Sequence, residues 1–166
     1  MLKLPKNIVN HPNVIEIENL FKRNLRLLHA NGRLQVPVWP FDTKSQKALS
    51  LVYGFKHLTQ GLESIGAELD KELKGLKSLQ KQPGQSQNQR LSRLIILSND
   101  GSDRFYHQAE TLLVKHSDRL MACIVDATAD QLGEAFTKKS NPTKALLIDD
   151  RKALEAFLAA LAEVYD

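Results

Sequence analysis

Three short apolar runs constrain the fold of this chain more than any other feature. They are Leu94–Leu97, Leu120–Val125 and Ala145–Ile148, and segments with the apolar spacing of helices separate them. Each run has the length of a β-strand and is apolar on both faces. Strands of this kind, alternating with helices, are typical of a sheet that helices cover on each side. The sequence therefore predicts an α/β fold, a three-layer α/β/α sandwich.

The chain before this pattern predicts an N-terminal helical extension over residues 1–41. Its apolar residues recur at spacings of three and four, which defines one helical face: Val14, Ile17, Phe21, Leu25 and Leu28. Asn31 and Gly32 are residue types that end a helix. The segment 34–40 follows with two prolines, so we expect an edge strand or an extended strap.

Residues 42–166 form the predicted α/β/α domain. Asp42 or Thr43 can cap its first helix, and a long amphipathic helix is predicted from Leu62 to Leu79. A Gln-rich loop at residues 80–90 interrupts the pattern, because its glutamines, proline and glycine cannot bury enough apolar surface to order it.

Composition and charge narrow the function classes. The longest apolar runs are far shorter than the ~20 residues of a membrane span, and the first residues do not resemble a secretory signal. We therefore expect a soluble, cytoplasmic protein without membrane association. Residues 1–60 carry nine lysines and arginines against three acidic residues, within a chain of net charge +4. This asymmetry is compatible with a polyanionic partner and equally with an ordinary solvated helix face.

No motif points strongly to catalysis. The chain has a single cysteine, Cys123, which lies inside an apolar run and is expected in the core. Neither the phosphate-binding glycine motifs nor the histidine spacings of zinc sites occur, so no cofactor, metal or catalytic residue is predicted. One enzymatic alternative stays open: the turns at Asp100, Asp126 and Asp149 would hold a magnesium ion if they converged.

The order of segments between residues 48 and 148 resembles the L7Ae/L30e superfamily of small RNA-binding proteins. The similar pieces are the stretch Leu51–Ile65 with its glycine before a helix, the strand and polar turn Leu94–Ser102, and the run Leu112–Phe136. The last of these contains Leu132-Gly133, the most specific match, and Lys144–Ile148 resembles the family's final strand. The resemblance implies an L30e-like fold and a non-enzymatic RNA-binding module.

In that family a kinked RNA stem is held by the glycine turn and by the loop before the last strand. Carried over, the resemblance implies that RNA is contacted by Gln60, Gly61, Leu62, Glu63, Ser64, Thr137, Lys138, Lys139, Ser140 and Asn141. It also leads us to expect these two segments at one edge of the fold. Basic residues among 22–26, or Lys44, Lys47 and Lys56, should adjoin them.

The sequence departs from the family pattern at several positions. Glu63-Ser64 stands where the family's archaeal-type members have Asn-Glu, Ala67 replaces a lysine, and residues 1–42 have no counterpart. A protein-interaction or structural component without nucleic-acid binding therefore stays an alternative. In it, either the helix Leu62–Leu79, through Leu69 or Leu76, or the N-terminal helix presents apolar residues to a partner. The balance favours a non-enzymatic protein, with structured RNA or a protein as its partner.

Overall fold

The computed structural model describes residues 2–79, 89–137 and 141–163. The predicted loop at 80–90 and Lys138, Lys139 and Ser140 thus lie wholly or mostly outside the described residues. The described helices are α1 (Lys6–Val9), α2 (Val14–Lys22), α3 (Thr43–Gly54), α4 (Leu62–Leu79), α5 (Asp103–Lys115), α6 (Ala129–Thr137) and α7 (Arg151–Leu161). The described strands are β1 (Leu25–Leu27), β2 (Gln35–Trp39), β3 (Leu58–Gln60), β4 (Arg93–Leu97), β5 (Leu120–Val125) and β6 (Ala145–Ile148).

All six described strands form one mixed sheet in the order β1-β2-β5-β4-β6-β3. The central strands β2, β5 and β4 are parallel, while β6 is antiparallel to β4 and β3 is antiparallel to β6. Leu97 at the end of β4 pairs with Ala145 at the start of β6. The parallel strands therefore finish at the end of the sheet where β6 begins.

Helices cover both faces of this sheet. Ile95 and Leu97 of β4 pack in one apolar cluster with residues of α4 and α5. Leu94 and Ile96 point to the other face, into a cluster with residues of α2, α3, α6 and α7. Every residue from Leu94 to Leu97 is fully buried because the strand has no solvent-facing side. The predicted three-layer α/β/α class is confirmed, and the three apolar runs are strands β4, β5 and β6.

The predicted N-terminal helix is wrong beyond Lys22. Asn24 adopts a left-handed φ of 52°, a conformation that asparagine tolerates better than most residues, and the chain turns into strand β1. Leu25 and Leu27 are each 45% exposed on that strand. Their spacing fitted a helix, but the alternation of Leu25, Arg26 and Leu27 fits a strand equally well, and pairing with β2 decides between them.

The proline-containing segment 34–40 does not form the edge strand that the sequence led us to expect. As β2 it lies between β1 and β5. Pro37 is tolerated there because the ladder to β5 registers only Val38 with Ile124 and Trp39 with Val125. A proline nitrogen cannot donate, so the ladder stops where Pro37 would have to continue it.

Residues 1–41 share the core with the rest of the chain. The Trp39 indole donates a 2.7 Å hydrogen bond to Leu20 O, and its ring lies 6.4 Å from that of Phe157 in α7. Two strands of the sheet come from this region. The division into an extension at 1–41 and a domain at 42–166 stays a prediction, which a deletion can test.

The two helices predicted after residue 42 are confirmed. Asp42 caps α3, since its Oδ1 accepts a hydrogen bond from Ser45 N at 3.0 Å. In α4, Ile65 and Leu69 are fully buried, whereas Leu76 is 37% exposed near the end of the helix. Within the described part of the chain, no helix combines the length and the apolar composition that a membrane span needs.

Candidate functional site

Four helices begin at the same end of the sheet. Helices α3, α5 and α6 follow the parallel strands β2, β4 and β5, and α4 follows β3, whose last residue Gln60 pairs with Leu146 near the start of β6. Helix N-termini carry partial positive charge and unpaired backbone amides. We call this end of the sheet the polar end and define it by residues 42–47, 60–64, 99–102, 126–128 and 141–144.

Side chains cap three of these four N-termini. Besides the Asp42 cap of α3, Ser102 Oγ accepts from Phe105 N at 3.1 Å at the start of α5. Thr128 and Gln131 form a reciprocal capping box at α6. Gln131 N donates to Thr128 Oγ1 at 3.2 Å, and Thr128 N donates to Gln131 Oε1 at 3.0 Å.

Helix α4 begins differently, after Gly61. Gly61 has a φ of +84°, which a residue with a side chain adopts only under strain, and it has no side chain with which to cap the amides of residues 62–64. A Cβ added at Gly61 would meet no atom within 4 Å, so the space beside its backbone is open. Gln60, Glu63 and Ser64 are exposed around it, while Leu62 is half-buried. This N-terminus is therefore accessible to a ligand.

The Gly61 turn lies against the segment that precedes β6. Gly61 N donates to Ala145 O at 3.0 Å, which continues the β3–β6 ladder by one residue. Ser98 N donates to Lys144 O at 2.9 Å and fixes the same segment to the end of β4. Asn141, Pro142 and Lys144 are exposed. The structure thus brings Gln60–Ser64 and the described part of the loop, including Asn141, to one end of the sheet.

Thr137 is not brought there. It is the last residue of α6, about 12 Å along the helix axis from Ala129, given a rise of 1.5 Å per residue. The described end of the loop returns alongside the helix, since Thr143 N donates to Ala129 O at 2.9 Å. A Cβ on Gly133 would overlap the Asn141 carbonyl oxygen, so this glycine permits the close return. Lys138, Lys139 and Ser140 lie outside the described residues.

The polar turn after β4 has a role that the sequence did not reveal. Asp100 Oδ1 accepts from Ala129 N at 3.0 Å, so this carboxylate caps α6 rather than the adjacent α5. Asn99 Nδ2 donates to Asp126 Oδ1 at 3.0 Å and ties the turn to the end of β5. Both partners are nearly thirty residues away along the chain, a separation at which local patterns carry no signal.

Arg26 lies near the polar end, although its strand β1 is the edge strand farthest from β3. The Tyr106 hydroxyl donates to Ser98 O at 2.7 Å and accepts from Gly101 N at 3.1 Å, which holds the ring beside the turn. The Arg26 guanidinium lies 5.6 Å from the centre of that ring, at a cation–π distance.

The other basic residues named from the sequence divide between the two ends of the sheet. Lys44 and Lys47 belong to the first turns of α3, at the polar end. Lys56 follows α3 and precedes β3, whose first residue pairs with the last residue of β6. Lys56 therefore lies at the opposite end of the sheet, and the expectation that it adjoins the Gly61 turn is wrong.

The three acidic turns do not converge. Asp100 and Asp126 lie at the polar end, whereas Asp149 follows β6 and lies at the opposite end. Asp149 Oδ2 accepts a 2.7 Å hydrogen bond from Thr59 Oγ1. Over residues 2–79, 89–137 and 141–163, no group of three His, Cys, Asp or Glu side chains is arranged to hold a metal ion. A magnesium site built from the turns at Asp100, Asp126 and Asp149 is thereby contradicted.

Cys123 is a core residue, as expected. It is fully buried in β5, and burial raises the pKa of its thiol well above the ordinary value. A thiol that stays protonated is a poor nucleophile.

Comparisons with known proteins add two structural likenesses. No protein-family model matches the sequence, and no curated protein matches it. A protein of unknown function from Bacillus halodurans is 20% identical with a TM-score of 0.46, over 74% of this chain and 100% of that chain. The 15.5 kD RNA-binding protein of Giardia lamblia is 15% identical with a TM-score of 0.47, over 75% of this chain and 88% of that chain. Both TM-scores are below 0.5, so neither likeness carries a functional conclusion for this chain.

Proposed function

We propose that this protein is a non-enzymatic RNA-binding protein that holds structured RNA at the polar end. The observation that carries the proposal is the 3.0 Å hydrogen bond from Gly61 N to Ala145 O. It joins the glycine turn to the first residue of β6, directly after the loop that the resemblance to the L7Ae/L30e superfamily implies as the second RNA contact. This neighbourhood of two segments that are far apart in the sequence supports the proposal.

The chemistry of this junction suits a phosphate. The amides of residues 62–64 begin a helix that no Gly61 side chain caps, and helix N-termini bind anionic groups through such amides. Lys144 is exposed one residue before the Ala145 carbonyl that Gly61 contacts. We infer that Lys144, with Lys138 and Lys139 of the preceding loop, supplies the positive charge, and that Asn141 reaches the sugar or base edges.

Acidic side chains limit where RNA contacts the polar end. Asp126 is exposed beside Asn99, and Asp100 is exposed where it caps α6. Carboxylates repel phosphates, so we propose as the contact surface the part formed by β3, the start of α4 and the start of β6. Glu63 is the one acidic residue among 60–64 and 141–145, and it should weaken phosphate binding at the start of α4. A cytoplasmic location agrees with this function and stays a prediction.

Substitutions at Gly61 test the conformational part of the proposal. Gly61→Val strains the left-handed backbone and fills the open space, so RNA affinity should fall at least tenfold, or about 1.4 kcal/mol. Gly61→Asn keeps that backbone accessible and should lose less. Gly75→Val is the matched control, because Gly75 lies on the same helix with open space around its Cα and no positive φ. Equal affinities of the Gly61 and Gly75 variants would contradict the proposal.

Lysine substitutions test the electrostatic part. The probes are a stem interrupted by an internal loop, a continuous duplex of equal length and a single strand. Lys144→Ala, and separately Lys138→Ala with Lys139→Ala, should weaken binding to the interrupted stem. Each lysine that contacts a phosphate should lower the slope of log affinity against log salt by roughly one unit. Lys56→Ala is the control from the opposite end of the sheet. Absence of measurable affinity for all three probes at low salt would end the proposal.

The protein-interaction alternative is supported by exposed apolar side chains on α3. Leu51, Tyr53 and Phe55 are between 43% and 51% exposed near its C-terminal end. In α4, Leu69 belongs to the core, so of the two leucines named from the sequence only Leu76 can contact a partner. This alternative predicts that Leu51→Lys abolishes the complex with the protein partner. It also predicts that neither the wild type nor the variant binds RNA.

A further inference from the structure

A cavity opens at the end of the sheet opposite the polar end, where β2 and β5 separate. We call this the cavity end. The two strands pair only at Val38–Ile124 and Trp39–Val125, and Pro37 has no N–H with which to extend the ladder toward Ala122. The result is a space of about 700 Å³ between Gln35–Pro37 on one side and Leu120–Ala122 on the other. Its size falls within the range of small-molecule pockets, roughly 300–1,000 Å³.

The walls of this cavity are apolar. Phe21 of α2, Val36 of β2, Leu113 of α5 and Leu120 and Ala122 of β5 line it, and each is at most 5% exposed. Met121, half-buried, completes the wall on the other face of β5. Leu34 and Met121 present partly exposed apolar surface to this space, so an apolar ligand would gain van der Waals contacts there.

The charge at the cavity has one sign. Lys3 is the single charged residue among the described residues that line it, and it is exposed. Gln35 and Ser117 lie beside the opening as exposed, neutral hydrogen-bonding groups. An ammonium group with no lining carboxylate favours a ligand with a negative end group.

From this arrangement we infer that the cavity is a binding site for an amphipathic small molecule with an apolar chain and one anionic end group, of the kind represented by medium-chain carboxylates. The apolar chain lies against Leu34 and Met121, and the carboxylate lies at the opening beside Lys3. The site is separate from the polar end, and the inference does not depend on RNA binding.

Titration of the full-length protein with octanoate, decanoate and 1-octanol, followed by calorimetry, tests the inference. Each added methylene that enters an apolar site contributes about 0.8 kcal/mol, or about a fourfold gain in affinity. Decanoate, with two more methylenes, should therefore bind about fifteenfold tighter than octanoate, with one saturable site. Lys3→Gln should weaken octanoate about fivefold, as the loss of an exposed ion pair does, and should leave 1-octanol unchanged.

Two further variants complete the experiment. Lys6→Gln, a neighbouring exposed lysine that does not line the cavity, should change neither affinity. Met121→Trp should fill the cavity and abolish binding of both octanoate and 1-octanol. If Met121→Trp fails to fold, the comparison of Lys3 with Lys6 and the chain-length series still decide. The inference is overturned by absence of saturable binding at millimolar decanoate, by equal affinity for octanoate and decanoate, or by equal effects of the two lysine changes.

Discussion

The two ends of the sheet have opposite chemistry although the same strands build both. At the polar end, helices α3, α4, α5 and α6 begin with exposed polar turns. At the cavity end, α4 and α5 finish, and basic side chains gather where helix C-termini carry partial negative charge. These side chains are Arg93, Lys115 and Arg119, which pair with Glu72 or Asp70. Strand direction explains the difference, because β2, β3, β4 and β5 run in one direction and each is followed by a helix that begins at their C-terminal end. The antiparallel β6 leads to α7, which begins at the cavity end.

The comparison suggests that the polar end carries recognition and that the cavity end carries much of the stability. Changes at the cavity end should therefore alter folding more than RNA affinity, and changes at the Gly61 turn should do the reverse.

Deletion of residues 1–41 should have the largest effect. It removes β2, one wall of the cavity, together with the buried residues Ile17, Phe21 and Trp39. The remaining chain would expose one side of β5, and we expect loss of cooperative unfolding, as measured by circular dichroism during a urea titration. A cooperative transition at nearly the original midpoint would instead support residues 42–166 as a self-sufficient domain.

Glu72→Ala should have the next largest effect. Glu72 accepts from Arg93 Nε at 3.1 Å and from Arg119 Nη1 at 2.8 Å, and all three side chains are less than one-fifth exposed. Removing the shared carboxylate leaves two arginines largely buried without a counter-charge, which should cost about 3 kcal/mol of unfolding free energy. Glu68→Ala, one turn earlier on α4, should cost less than about 0.5 kcal/mol. The RNA affinity of the folded Glu72→Ala protein should equal that of the wild type.

Gly133→Ala should destabilise by about 2 kcal/mol, since its Cβ would overlap the backbone carbonyl of Asn141 and push the returning loop away from α6. Gly75→Ala, in open space on α4, should instead stabilise by up to about 1 kcal/mol. Unlike the Glu72 change, Gly133→Ala should also weaken RNA binding, because the displaced loop leads to Lys144. Chemical denaturation and a binding titration on the same samples check both parts, and an unaltered RNA affinity would separate this loop from the site.

The smallest effect concerns pH. His116 is fully buried at the cavity end, and its pKa lies below the ordinary 6.5. Burial lowers this pKa most, and the positive charges of Arg119 and Lys115 lower it further. The Asp70 carboxylate, 3.4 Å from Nε2, raises the pKa and so opposes the other three influences. The unfolded chain then binds a proton that the folded chain refuses, so unfolding free energy should fall as pH drops below 6.5. The steepest slope for one proton is about 1.4 kcal/mol per pH unit.

Unfolding midpoints of the wild type and His116→Phe between pH 7 and pH 5 test this. The variant should show a flatter dependence. Asp70 titrates in a different range, since Lys115 lowers the pKa of its carboxyl below 3.8 and its contribution is lost only in stronger acid. If the unfolding midpoints of the two proteins change with pH in parallel, His116 is not the source of the pH dependence.

The sequence predicted the elements that local patterns determine. The strands β4, β5 and β6 follow from runs buried on both faces, and the start of α3 follows from the capping chemistry of Asp42. The strand β1 was missed because Leu25 and Leu28 fit helical spacing, and only its pairing with β2 shows that the chain is extended.

The part of the candidate site that depends on local patterns could be predicted from the sequence. Gly61 stood out as a glycine before an amphipathic helix, and the structure gives it a positive φ. The capping of α6 by Asp100 and the contact between Arg26 and Tyr106 depend on tertiary placement, so no local pattern announced them.

The measurement that tests the central claim most directly is a map of backbone amide chemical shifts on addition of the interrupted RNA stem to isotope-labelled protein. RNA binding at the polar end predicts that the changed amides are those of residues 61–64, 141 and 143–145, while those of Leu120–Ala122 at the cavity end stay in place. Changes confined to the cavity end, or no saturable change at low salt, would contradict the account.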